Sequence, residues 1–467
     1  MANPIPRRRF LRQMNCAAIS AIPVLNTLLN LKLAGSVAAA SNDTGDYRAL
    51  VCIFLAGGCD TFNVLVPQGT AEYADYATVR GPVALPQNQL LPINAAGLTG
   101  LQLGLNPAMP NLQTLFNAGK AAFVTNVGTL IQPVTKDQVN NGTMPLPLGL
   151  FSHSDQQEQW QTSTPDIRSA RGWGGRTADL LASLNPLNTV SMNISLTGQN
   201  IWQSGETSFV YTVNSDGAVA LDGYDPTNTD QWSPIPLQTQ AVNSQLALNY
   251  QHLLTQAFNT SKNNAMEAYS LFNSATSPAL PTSVTFPTNS DFSSNLQMVA
   301  KAIAGHTALG QNRQTFFIEY DGWDTHDKLL ATQASLLPDV DASLKAFYDC
   351  LVALGEDSNV TVFTISDFAR TLTSDGGGTD HAWGANHFVL GGAVNGGRIY
   401  GQYPSLYADN PLDVGRGRLI PQIAVDSYFA ELALWLGVSP SSLSLVLPNI
   451  ANFYDVTSGS PPLGFLA

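Results

Sequence analysis

Residues 49–55, Ala-Leu-Val-Cys-Ile-Phe-Leu, form an unbroken apolar run that stops at Gly57-Gly58. A strand with one face in water alternates apolar and polar residues. A continuous run therefore calls for a strand covered on both faces, as in a parallel sheet between two layers of helices. Residues 122–127, 190–196, 315–320, 360–365 and 388–390 read as further strands. Helical periods lie between and after them. Leu344, Phe347, Leu351 and Leu354 recur at helical spacing over 342–354 before Gly355, and Val425, Phe429, Leu432 and Leu436 do so before Gly437. The fold class specified is α/β, a mostly parallel sheet flanked by helices.

Residues from about 199 to 310 break this rhythm. Phe209-Val210-Tyr211-Thr212-Val213 followed by Asp216-Gly217 predicts a hairpin, and Gln- and Asn-rich helices follow around 245–272. This stretch is expected to be a smaller inserted cap on a domain spanning 41–467, with the Ser/Thr/Pro-rich residues 274–290 as a surface connection. Composition narrows the function classes. Hydrophobic residues make up 44% and charged residues 12%, which is globular rather than disordered. Lys+Arg of 21 against Asp+Glu of 34 gives a net charge of −13, the opposite of a nucleic-acid-binding footprint.

The first forty residues read as an export signal. Arg7-Arg8-Arg9-Phe10-Leu11-Arg12 precedes an apolar stretch and a small-residue run ending Ala38-Ala39-Ala40. The basic motif resembles the twin-arginine signal of bacterial proteins exported already folded, with cleavage expected after Ala40. The implied partner is the twin-arginine export machinery, and the implied location is the periplasm or the medium. No other apolar stretch reaches the roughly eighteen residues of a membrane helix, so no span is expected in the mature form. Cys52, Cys59 and Cys350 remain, without a C-x-x-C pair, and are expected to be free thiols.

In an open α/β sheet, ligands sit beyond the carboxyl ends of the strands. Gly57-Gly58-Cys59-Asp60 follows the first strand, Asp321-Gly322-Trp323-Asp324-Thr325-His326 follows 315–320, and Ser366-Asp367 follows 360–365. Gly378-Thr379-Asp380-His381 precedes 388–390. Mixed carboxylates and imidazoles suit Zn, Mn or Fe, whereas a carboxylate-dominated site suits Ca or Mg. Asp324 and His326, two apart, share a face of an extended backbone. Asp60 reads equally as a turn cap, Asp367 as an ion-pair partner of Arg370, and Asp380 as a turn residue. His153, His326, His381 and His387 fall in or beside the polar clusters, while His252 and His306 read as structural.

These motifs, with Ser152-His153, Asp155, Gln157, Trp160, Gly172-Trp173, Gly175-Arg176, Phe368-Ala369-Arg370-Thr371, Gly391-Gly392, Gly396-Gly397 and Val425-Asp426, resemble the bacterial exported family of domain of unknown function 1501. The resemblance runs from about 48 to 438. That family looks like a distant branch of the alkaline phosphatase and sulfatase superfamily. It implies an alkaline-phosphatase-like fold and a divalent metal (Zn, Mn, Ca or Mg) held by Asp60, Asp324, His326, Asp367 and His381. It further implies a nucleophile near Ser152, at a helix N-terminus, where amide donors favour an anion. Ser154 with Gln157 fits a capping box, which assigns that serine a structural role. Arg370 is the candidate for binding a substrate anion. The superfamily usually has His after the Asp where this chain has Asp367-Phe368, so one metal site would lack its imidazole. The function implied is an exported metal-dependent hydrolase of small phosphate or sulfate esters. The alternative is a non-catalytic exported binding or scaffold protein with a structural metal site. A G-x-S-x-G elbow and a Walker-type phosphate loop are both absent from the sequence.

Replacing Arg7, Arg8 and Arg9 together with Lys should retain the protein in the cytoplasm, because twin-arginine recognition reads more than charge. Cell fractionation checks this, and unchanged periplasmic recovery contradicts the assignment.

Overall fold

The computed structural model describes residues 46–248 and 252–467, so the expected export signal over residues 1–40 lies outside the described residues. In chain order the strands are β1 Arg48–Leu55, β2 Leu65–Pro67, β3 Leu91–Ile93, β4 Leu103–Leu105, β5 Ala121–Gly128, β6 Asn193–Ser195, β7 Tyr211–Asn214, β8 Gly217–Ala218, β9 Arg313–Tyr320, β10 Val360–Ser366, β11 Arg370–Ser374, β12 Thr379–His381, β13 Ala385–Leu390, β14 Ile399–Tyr400 and β15 Ile423–Ala424. The main sheet runs β14-β5-β13-β10-β1-β9-β6-β7-β8, with β15 also on β5. β1 is central and pairs in parallel with both β10 and β9.

The two-residue period of β1 explains its unbroken apolar run. Ala49, Val51, Ile53 and Leu55 join the core formed with Phe292, Leu296, Leu344 and Phe347. The intervening Leu50, Cys52 and Phe54 join the opposite core with Trp160, Trp173 and Phe429. The first group of partners lies on helices Asp291–Ala304 and Leu329–Leu354, the second on His153–Thr162, Trp173–Leu181 and Val425–Leu436. The expected three-layer α/β arrangement, a mostly parallel sheet flanked by helices, is what forms. Cys52, Cys59 and Cys350 are buried free thiols.

Three details differ from the sequence expectation. Helix Leu329–Leu354 starts thirteen residues before 342, running through Pro338. An interior proline loses one backbone bond, and here the burial of Leu329, Leu337, Val340 and Leu344 outweighs that cost. The 190–196 strand shrinks to β6, Asn193–Ser195. The inserted region 199–310 is not a separate cap throughout. Its hairpin extends the main sheet through β7 on β6, and its helix Asp291–Ala304 belongs to a core layer.

Strand direction positions the site. β13 pairs antiparallel with β10 and with β5. The start of β13 therefore lies at the edge where β1, β9, β10 and β5 end. A motif that precedes β13 in sequence thus meets motifs that follow the other strands.

His387, on β13, belongs to the core rather than to that edge. It is buried against Trp160, with ring centroids 4.7 Å apart, and its Nε2 has no hydrogen-bond partner among the described residues. Burial pushes its pKa down to about 3. The native imidazole is therefore neutral while the unfolded one takes up a proton below about pH 6.5. Its contribution is complete above that pH and falls by about 1.4 kcal/mol per pH unit between about 6 and 4. Unfolding free energies of wild type and His387→Gln, measured by denaturant across that range, should differ in slope by this amount. Parallel slopes contradict it.

Candidate metal centre

Helix His153–Thr162 begins with Ser152 in extended conformation as its N-cap, without a side-chain capping bond. The expected Ser154–Gln157 capping box does not form, because the N-cap is Ser152, two residues before Ser154. Ser152 Oγ lies 3.3 Å from Ser154 Oγ. Gln157 Nε2 instead donates to Asp367 Oδ2 at 2.9 Å. His153, the first helical residue, therefore faces the loops beyond the sheet.

Hydrogen bonding fixes two imidazoles in one tautomer. His153 Nδ1 lies 2.7 Å from Asp367 Oδ2, and His381 Nδ1 lies 2.7 Å from the Phe151 carbonyl oxygen. Both partners are acceptors, so both Nδ1 atoms carry the proton and both Nε2 atoms present lone pairs. His153 Nε2 is 3.7 Å from Asp324 Oδ2, and His381 Nε2 is 3.8 Å from Asp324 Oδ1. His326 Nε2 lies 2.9 Å from His381 Nε2 and 3.1 Å from Asp324 Oδ1. Two overlapping groups of side chains, His153/Asp324/His381 and His326/Asp380/His381, could each hold a metal ion.

Electrostatics keep these donors in the ligating form. Partial burial works against the Asp324 charge, but the Arg370 hydrogen bond and cation, with His326 and His153, hold its carboxyl below the usual range. Asp380 is likewise held low against partial burial by the His381 amide and by Arg416 and Arg418. Burial lowers the His381 pKa, and the neighbouring His153, Arg370 and His326 lower it further against the opposing Phe151 bond. A donor set of imidazoles and carboxylates suits a borderline divalent cation such as Zn or Mn better than Ca or Mg.

The seven expected site residues divide. Asp324, His326 and His381 come together. Asp367 is fully buried and reaches the cluster through His153, its Oδ1 accepting the Gly57 amide at 3.0 Å. It is placed to orient a ligand rather than to be one, the carboxylate–histidine pattern common behind metal sites. Asp60 belongs to neither group. Its Oδ2 accepts Arg80 at 2.6 Å and Thr379 Oγ1 at 2.8 Å in a buried ion pair, which corrects both the ligand and the capping expectations. Arg370 is also corrected. Its buried guanidinium donates to Gly58 O, Thr379 O, Gly57 O and Asp324, so it is committed within the protein rather than to a substrate anion. Ser152 stands beside His153 at the helix start, half-buried.

Sequence reasoning left His153 and Asp380 out of the ligand set. The signal for His153 was its place beside Ser152. Its ring lies 4.8 Å from that of Phe368, the residue standing where an imidazole was expected. The histidine is supplied from a different segment onto the face of that phenylalanine. Two glycines make the approach possible. A Cβ on Gly57, at φ +112°, would lie 2.5 Å from the Asp324 amide nitrogen, and one on Gly58, at φ +83°, 2.4 Å from the Phe368 ring.

Residues 47–415 match the family model described as protein of unknown function DUF1501. No curated protein matches the chain. Among solved structures the chain is similar to Ps i-CgsB at 10% identity, over 87% of this chain and 76% of that one, with a TM-score of 0.35. It is similar to the lipoteichoic acid synthase LtaP from Listeria monocytogenes at 8% identity, over 89% and 79%, with a TM-score of 0.34. To the PsFucS1 sulfatase from Pseudoalteromonas sp. it is 11% identical over 87% and 76%, with a TM-score of 0.31.

Proposed function

The chain belongs to the DUF1501 family, and on that premise we propose that it is an exported, metal-dependent hydrolase of phosphate or sulfate esters with an alkaline-phosphatase-like site. The observation that carries the reading is the pair of imidazoles, His153 and His381, whose Nδ1 protons are tied back so that both Nε2 lone pairs face Asp324. His153, Asp324 and His381 would hold one cation, with His326 and Asp380 extending the set. When bound, a divalent cation supplies Lewis-acid stabilisation of charge on the ester oxygens.

The chain's own groups supply the rest. The N-terminus of helix His153–Thr162 offers unpaired amides and a positive dipole end to a tetrahedral anion. Ser152 is the candidate nucleophile at that end: its oxygen would bond to phosphorus or sulfur as the ester P–O or S–O bond breaks, the hydroxyl proton passing to the departing alcohol, and water would then release phosphate or sulfate from the serine. Arg416, its side chain 45% exposed at the rim, is paired with Asp375 at 2.5 Å and Asp380 at 2.7 Å and helps keep Asp380 ionised. Export follows from the arginine motif of residues 7–12, and no described helix is long and apolar enough to cross a membrane.

Mature protein loaded with Zn or Mn, assayed against phosphomonoesters, phosphodiesters and sulfate esters, tests the reading. Ser152→Ala should lower turnover at least about a hundredfold with bound metal retained, whereas His326→Ala should lower both. Activity surviving Ser152→Ala moves the nucleophile elsewhere. No hydrolysis across the panel by metal-loaded wild type contradicts the enzyme and leaves the scaffold alternative.

A further inference from the structure

The inserted region holds a large groove that the chemistry above does not use. It measures about 1030 Å³, at the upper end of ordinary ligand sites, and lies between the segment after β8 and one face of helix Leu253–Thr276. On that helix Phe258, Lys262, Ala265, Met266 and Tyr269 recur every three or four residues, forming one continuous stripe along the groove, and Leu221 lies on the opposite wall. At 1.5 Å per residue, a stripe from 258 to 269 is about 16 Å long.

Its surface is unusual for a face left in water. Three of the large apolar side chains left exposed among the described residues line it, Val219 at 67%, Phe258 at 64% and Tyr269 at 36%. Apolar surface concentrated beside a concavity marks a binding site more often than chance does. The groove contains one cation. The Lys262 ammonium sits 5.7 Å from the Phe258 ring centroid and pairs with no carboxylate among the described residues. The carboxylate on the wall, Asp225, is turned to the Thr227 amide and hydroxyl at 2.8 and 2.7 Å.

We propose that this groove binds a single-chain amphiphile with an anionic head, its apolar chain along the Phe258–Ala265–Tyr269 stripe and its charge at Lys262. Length supports the assignment, since an acyl chain filling one leaflet of a bilayer spans about 15 Å. Charge supports it as well. On a chain of net charge −13 an anion is retained only where a local cation offsets the overall field, and Lys262 is placed to do so inside the apolar groove. The inference stands apart from the hydrolase reading.

Titration calorimetry of the mature protein with palmitate, hexadecanol and hexadecyltrimethylammonium tests it. Palmitate should bind one per chain and more tightly than the cationic analogue. Ala265→Trp, which fills the groove, should weaken palmitate and hexadecanol about tenfold or more. Lys262→Glu should weaken palmitate by a similar factor and leave hexadecanol unchanged. Both positions are at least partly exposed, and unchanged melting temperatures would show that the fold is retained. Absence of palmitate binding, or binding indifferent to Ala265→Trp, overturns the site. Loss of palmitate binding on filling the groove, with none on reversing Lys262, overturns the anionic class. Ester hydrolysis should persist in both variants, so failure here and failure of the hydrolase reading are separable.

Discussion

The buried Arg370 guanidinium holds the loops of the candidate metal centre in place. It donates to Gly57 O and Gly58 O after β1, to Thr379 O on the ribbon strand β12, and to Asp324 after β9. Three segments far apart in sequence are thereby fixed by one rigid, planar cation whose donor directions cannot be rearranged without loss. Charge-assisted bonds of this kind contribute about 1.5–3 kcal/mol each, and leaving a buried guanidinium without them costs more than the bonds themselves gain. Since Asp324 is half-exposed, solvent screening reduces its share, and the buried carbonyl bonds carry most of the holding. The consequence for chemistry is direct: Asp324 stays ionised and stationary where the imidazoles converge.

A second constraint follows from Phe368. A phenylalanine beside Asp367 cannot ligate, yet Asp367 remains fully buried with all its bonds directed to the site: to the Gly57 amide, to Gln157 and to His153. The ring of Phe368 lies 4.4 Å from that of His381 and 4.8 Å from that of His153. Its apolar face packs the two imidazoles while the buried carboxylate sets the tautomer of one. The imidazole bound to this carboxylate comes from a helix N-terminus rather than from the next residue in sequence. The same helix end that carries His153 carries Ser152, so ligand and nucleophile candidates are coupled by one turn of backbone.

Much of this was legible in the residues. The apolar run of β1 specified burial on both faces because a two-residue period admits no other arrangement. The polar motifs after β1, β9 and β10 pointed to one sheet edge for the same topological reason. The motif before β13 reached that edge only because β13 runs antiparallel, which its sequence does not declare. Asp60 and Arg370 were misplaced for a common reason. Both are charged residues in the right loops, but whether a charge faces the site or a buried partner depends on Arg80 and Asp324, far away in sequence. His153 carries no local signal of its orientation, because that is set by Asp367, more than two hundred residues on. The first half of helix Leu329–Leu354 was hidden by Pro338, a local signal overridden by tertiary packing.

X-ray absorption of mature protein carrying one equivalent of zinc tests the convergence of the imidazoles most directly. The account predicts a first shell with at least two imidazole nitrogens at about 2.0–2.1 Å plus oxygen, losing one nitrogen in His153→Ala. A shell of oxygens alone, or one unchanged by His153→Ala, would contradict it.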